Sequence, residues 1–192
     1  MKKKTVVISV NQLAVFDFLR RNKYELGGYL DFSAKNKIER FLAYFGQRNG
    51  VDFEDLDYEI DFHTHPEYDD GRIFNPPSPS DLTSLLEASV PLSPTDTTRR
   101  TQASLIFAEE GVYVVTLTKD LLQEYIEKTD VERDDFLNLI DDTVDNAFEA
   151  SHHPNDTSYK NPYYTLVKDY GFDVKLKPYN RQLKIPIYIH ES

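Results

Sequence analysis

Strand-like and helix-like segments alternate along the 192 residues, which predicts a mixed α/β (α+β) domain. Three observations carry this expectation. Short runs rich in β-branched and aromatic residues are separated by stretches of helical period, not gathered in one block. Two of the runs flank Glu109-Glu110-Gly111, which reads as a hairpin turn. The segment 130–150 repeats apolar residues every four positions, at Phe136, Ile140, Val144 and Phe148.

Residues 5–10 read as the first strand and 11–21 as a helix, with Asn11 at its N-cap and Leu13, Phe16 and Leu19/Arg20 at helical spacing. Strands are expected at 24–32, 38–45 and 57–65. Ser78-Pro79-Ser80-Asp81, followed by Leu82, Leu85 and Leu86, has the form of a capping box with proline at the first helical position, opening a short helix over 81–88. Residues 91–98 form a turn-rich loop, and 102–108 and 112–118 are the hairpin strands. Helices follow at 119–128 and 130–150, the apolar stripe of the second packing against the sheet. Beyond Ala150 the chain turns polar and punctuated over 151–162. Strand-formers return at 162–164 and 183–189. The last forty or so residues hold too few apolar side chains for a core of their own, so they are expected to pack back as short strands. The organisation is therefore a domain over 1–150 with a C-terminal extension, 151–192, packed on it. No internal repeat or low-complexity tract is present.

Composition bounds the function. The chain has no cysteine, which excludes a disulfide framework, a cysteine nucleophile and a thiolate zinc site. Its formal charge of −11 argues against nucleic acid and anionic membrane and favours basic protein partners. The N-terminus, Met1-Lys2-Lys3-Lys4, is not followed by an apolar run long enough for a signal peptide, and no stretch approaches a membrane span. The expected location is the cytoplasm.

The chemistry-bearing segment is 61–81, DFHTHPEYDDGRIFNPPSPSD. On a strand, residues i and i+2 share a face, so His63 and His65 can converge on one ion before Pro66 ends the strand. With Asp81 they make a nitrogen–nitrogen–oxygen set of the kind that leaves a fourth zinc position open. Two neutral imidazoles and one carboxylate leave Zn²⁺ with a charge of about +1, and water bound to such an ion ionises at a pKa of about 7. A carboxylate nearby can take that proton and pass it to a leaving amine. His152-His153 is a different case. Adjacent histidines cannot face one side of a regular element, and Pro154 follows, so they and His190 are expected to be solvated.

Glu25 upstream, His63-Thr64-His65-Pro66, and Ser78-x-x-Asp81 downstream together resemble the JAMM motif of the JAB/MPN metallopeptidases, most closely of the prokaryotic type. The resemblance covers roughly residues 5–120. It implies a curved mixed β-sheet flanked by helices. It also implies one zinc ion per chain held by His63, His65 and Asp81, with Glu25 as general base and Ser78 beside the developing oxyanion. In one respect the chain departs from the pattern: twelve residues separate His65 from Ser78, several more than in the most compact members. The activity implied is cleavage of a peptide or isopeptide bond after the C-terminus of ubiquitin or a ubiquitin-like protein. The extended tail of such a modifier is expected to add to a sheet edge near His63–His65, with the loops 67–75 and 92–101 as candidates for gripping it; Asp69 and Asp70 read either as partners for its arginines or, equally, as a solvated acidic loop. Two alternatives stay open: a zinc hydrolase of another peptide or small molecule, and a non-catalytic scaffold module.

Overall fold

Residues 103–108, ASLIFA, are buried on both faces, and the rest of the fold is arranged around this strand. The computed structural model describes residues 2–33, 35, 37–48, 50–51, 58–67, 75–90, 100–150 and 160–189. Its elements run β1 (Lys2–Ile8), α1 (Val10–Leu19), β2 (Leu26–Phe32), β3 (Ile38–Phe45), β4 (Ile60–Thr64), α2 (Pro79–Ala88), β5 (Ala103–Ala108), β6 (Gly111–Leu117), α3 (Lys119–Glu127), α4 (Asp130–Ala150), α5 (Lys160–Asp169), β7 (Phe172–Lys177) and β8 (Leu183–Ile189).

Six strands form one curved mixed sheet in the order β3-β2-β4-β5-β6-β7, and β1 pairs with β8 in a two-stranded ribbon. Within the six, β4–β5 is the parallel pair and the others are antiparallel. A parallel pair needs a crossover, and α2 lies within the one that joins β4 to β5.

Alternation along the strands divides the core. Leu105 and Phe107 of β5 point to the side of α1 and the β1–β8 ribbon, where Val6, Ile8, Leu13, Phe16, Phe62 and Ile185 are buried with them. There the Phe16 ring stacks on Phe107 at 4.3 Å and meets Phe62 edge-on at 5.1 Å. Ile106 of β5 points the other way, to a cluster built with Leu82, Leu85 and Leu86 of α2, Tyr125, Ile140, Val144 and Val167. Each fully buried leucine of α2 contributes about 1.5–3 kcal/mol, enough to hold that helix in one rotation against the sheet.

Several boundaries differ from the sequence expectation. Helix α1 is capped by Ser9, not Asn11: the Ser9 hydroxyl accepts from the Gln12 amide while the Gln12 side chain accepts from the Ser9 amide, so Asn11 falls inside the first turn. Strand β1 begins at Lys2 because the lysine run pairs with β8, Lys2 opposite Ile189. Residues 162–164, expected as strand, lie in helix α5. Pro162 is tolerated in a first turn, where an unpaired amide costs nothing, and Leu166, Val167 and Tyr170 pack at helical spacing. Strand β7 was not anticipated, although Phe172-Asp173-Val174-Lys175-Leu176-Lys177 alternates cleanly. It extends the main sheet beside β6. The expected loops at 67–75 and 92–101 lie mostly outside the described residues, as do Asp69, Asp70, His152, His153 and His190. Among the described residues no helix is long and apolar enough to cross a membrane.

Candidate metal centre

Strand β4 carries His63 at the middle of the sheet, in register with Gly27 on β2 and Ile106 on β5. The strand direction persists past Thr64, because the His65 amide donates to the Phe107 carbonyl at 2.9 Å. Two residues apart on an extended segment, the two imidazoles face the same side, the side of α2.

The crossover brings the start of α2 to the C-terminal end of β4, and the capping box aims its carboxylate. The Ser78 amide donates to Asp81 Oδ2 at 2.6 Å, and the Asp81 amide donates to Ser78 Oγ at 3.3 Å. Pro79 occupies the first turn, and the positive end of the helix dipole favours the Asp81 charge. The local rule that starts the helix thus also fixes the third ligand.

His63 Nε2 lies 3.1 Å from His65 Nε2 and 3.1 Å from Asp81 Oδ1, and His65 Nε2 lies 3.4 Å from Asp81 Oδ2. Donor atoms about 2.0–2.1 Å from one tetrahedral ion stand about 3.3–3.4 Å apart, so the spacing fits a small cation. The proton inventory agrees. His65 Nδ1 faces the Asn75 carbonyl at 3.0 Å, and a carbonyl only accepts, so Nδ1 carries a proton and Nε2 is the nitrogen turned to the site. Nε2 points at another imidazole nitrogen and a carboxylate oxygen, a convergence that a cation suits. His63, His65 and Asp81 are therefore a group that can hold a metal ion. Their side chains are only 11%, 8% and 16% exposed, which removes most competing water.

Without a cation, a proton takes its place. Burial opposes a charge on His63, but the Asp81 carboxylate overrides it by charge and by hydrogen bond, with Glu25 and Asp61 adding, and pushes the imidazole up to about 9. Burial likewise opposes ionisation of Asp81, and His63 and His65 outweigh it, holding that carboxyl well below its usual range.

Glu25 is half-buried immediately before β2, and its backbone is tied on both sides. Its amide donates to the Gln47 carbonyl at 2.8 Å and its carbonyl accepts from Gly46 at 2.9 Å. The next amide, Leu26, donates to Thr64 Oγ1 at 2.9 Å, which stitches the glutamate's strand to the segment between the two histidines. Burial raises the Glu25 pKa, His65 and His63 lower it, and Asp81 raises it again, with a net rise. All three ligands are thus within its electrostatic reach. Gly28, three residues on, is required by the close approach of β3: a Cβ there would lie 1.9 Å from the Leu42 carbonyl oxygen, at a φ of +154°. Ser78 Oγ shares a 2.9 Å hydrogen bond with Ser80 Oγ as well as capping α2.

The structure therefore brings His63, His65 and Asp81 together, sets Glu25 beside them electrically, and places Ser78 on the turn that carries Asp81. Sequence reasoning did not single out Thr64, Asn75 or Glu110, which support the site. Thr64 carries a weak signal as a strand-former between two ligands. Asn75 and Glu110 carry none, because their contact spans 35 positions and is made through a main-chain amide. Comparison with protein-family models, curated proteins and solved structures finds no match to the chain.

Proposed function

We propose that the chain is a zinc-dependent peptidase or isopeptidase of the JAMM type, cleaving after the C-terminus of ubiquitin or a ubiquitin-like protein. The observation that carries the reading is the convergence of His63, His65 and Asp81 at distances of 3.1–3.4 Å beside a partly buried carboxylate, Glu25. A nitrogen–nitrogen–oxygen set with small, near-tetrahedral spacing suits zinc over magnesium or calcium, which prefer more oxygen ligands. Zinc held there would supply Lewis acidity toward a carbonyl and toward water.

The remaining steps belong to the chain. Glu25 accepts the proton of the attacking water and delivers it to the leaving amine. Its raised pKa brings base and acid strengths closer to neutrality, where such a shuttle works best. The Ser78 hydroxyl donates toward the oxyanion, and the capping box keeps it next to Asp81. His63, His65 and Asp81 hold the ion and exclude solvent.

An extended peptide substrate fits the surroundings. Strand β4 is enclosed between β2 and β5, so a substrate tail finds no free edge at His63. The available edge beside the site is β3, which ends the sheet. It exposes Phe41 and Phe45, and Phe45 is in register with Leu26, next to Glu25. A peptide adding to β3 by main-chain hydrogen bonds would run toward the glutamate. The formal charge of −11 complements a basic partner.

The test is incubation of the zinc-loaded protein with a panel of ubiquitin-like fusions, with and without chelator. At least one fusion is expected to be cut at the modifier's C-terminus, with the activity lost on chelation and restored by zinc. If no fusion is cut by zinc-loaded protein, the modifier is the wrong substrate class. Cleavage that survives chelation excludes the metallopeptidase itself.

A further inference from the structure

Glu110 sits at the turn between β5 and β6, far in sequence from the ligands. Its Oε1 accepts the Asn75 amide at 2.7 Å and the Tyr113 hydroxyl at 2.5 Å. Its Oε2 is buried and has no hydrogen-bond partner among the described residues. Burying half a carboxylate without compensation is costly, so the group is kept in place for what Oε1 does. What Oε1 holds is the residue whose carbonyl meets His65 Nδ1 at 3.0 Å. Asn75 is followed by Pro76 and Pro77, both buried, which confine its backbone to extended conformations. With the amide clamped on one side and the prolines on the other, the Asn75 carbonyl has one direction left. Tyr113 is fully buried and cannot swing away from the carboxylate.

We propose that Glu110 is a positioning residue that fixes the His65 ring through Asn75, and so presets the metal centre. By holding the Asn75 carbonyl at Nδ1, it keeps the His65 proton on that nitrogen and leaves Nε2 free toward His63 and Asp81. Partners of this kind behind a ligating imidazole are worth about 10–100-fold in metal affinity. The proposal rests on the metal-centre reading for its consequence, but the ring orientation can be read without metal.

The experiment compares Glu110→Ala, Glu110→Gln and Tyr113→Phe with the native chain. Two readouts are used: zinc affinity by chelator competition, and the His65 tautomer from ¹H–¹⁵N spectra of the metal-free protein. Glu110→Ala is expected to weaken zinc binding about 10–100-fold and to mix the His65 tautomers. Glu110→Gln keeps an oxygen at the Oε1 position and should restore most of both. Tyr113→Phe, which keeps the ring but unties the carboxylate, should show the alanine effect in smaller degree and serves if Glu110→Ala does not fold. Native zinc affinity and a native tautomer in the folded variants overturn the proposal, and so does a glutamine variant as impaired as alanine. If the native chain binds no zinc yet the tautomer follows Glu110, the metal reading fails while the positioning of His65 stands.

Discussion

Replacing Asp81 by asparagine removes one charge from between two imidazoles and little else. The amide oxygen can still accept from the Ser78 amide, so the cap of α2 survives. In the metal-free chain the variant abolishes the main cause of the raised His63 pKa. A rise from 6.5 to about 9, at about 1.4 kcal/mol per pH unit, is on the order of 3 kcal/mol of stability. The sign follows from the direction. His63 binds its proton more tightly folded than unfolded, so this stability is fully present below its unfolded pKa of about 6.5 and is lost as pH rises through about 9. The lowered Asp81 pKa is the same attraction seen from the carboxylate, so it is lost in strong acid, when Asp81 takes up a proton, and equally in base, when His63 gives its proton up. Urea unfolding in chelator should therefore find Asp81→Asn destabilised by on the order of 3 kcal/mol near pH 6, a melting-point drop of roughly 6–12 °C for a chain of this size. Near pH 10 most of the difference should vanish. A destabilisation that does not change with pH would refute the argument, because it would mean that Asp81 supports the fold by packing or capping alone.

Three further outcomes follow from the same geometry. Zinc must displace the His63 proton, so metal binding below about pH 7 should release close to one proton, with a second leaving bound water above that, and affinity should climb as pH rises toward 9, as titrations in buffers of different ionisation enthalpy would show. Glu25→Gln should retain zinc and the fold while lowering kcat by about 10²–10⁴ on any fusion the native protein cuts, and an unimpaired variant would mean another base serves. Ser78→Ala should cost about 0.5–2 kcal/mol through the cap and, separately, roughly 10²–10³ in kcat, whereas Ser78→Asn or Ser78→Asp should recover stability alone; recovery of turnover too would reduce Ser78 to a cap.

The parts of the site that could be read from the sequence are those governed by local rules. The strand period places His63 and His65 on one face, and the capping box places Asp81 at the third helical position, each within a few residues of chain. Glu25 was singled out only through the resemblance to a family motif. In the fold its position depends on the Leu26–Thr64 and Glu25–Gln47 bonds, neither of which has a local signature. Glu110 escaped for the same reason. In the fold, strands β1 to β6 and β8 and the α3–α4 helices followed from periodicity, whereas β7 was missed and α5 was hidden behind Pro162-Tyr163-Tyr164. The two tyrosines favour strands by propensity, and proline disfavours a helix interior, but all three lie in the first turns of a helix whose Val167 is buried in the core. The Ser9 cap was overlooked because Asn11 is an equally good capping residue, and only the reciprocal Gln12 bond decides between them.

The most direct test of the central claim is the metal content of the natively purified chain, set against the His63→Ala/His65→Ala double variant. The account predicts close to one zinc per chain in the native protein and almost none in a double variant that remains folded. Full zinc occupancy in that variant, or a native chain that binds no divalent metal at any pH up to about 9, would contradict it.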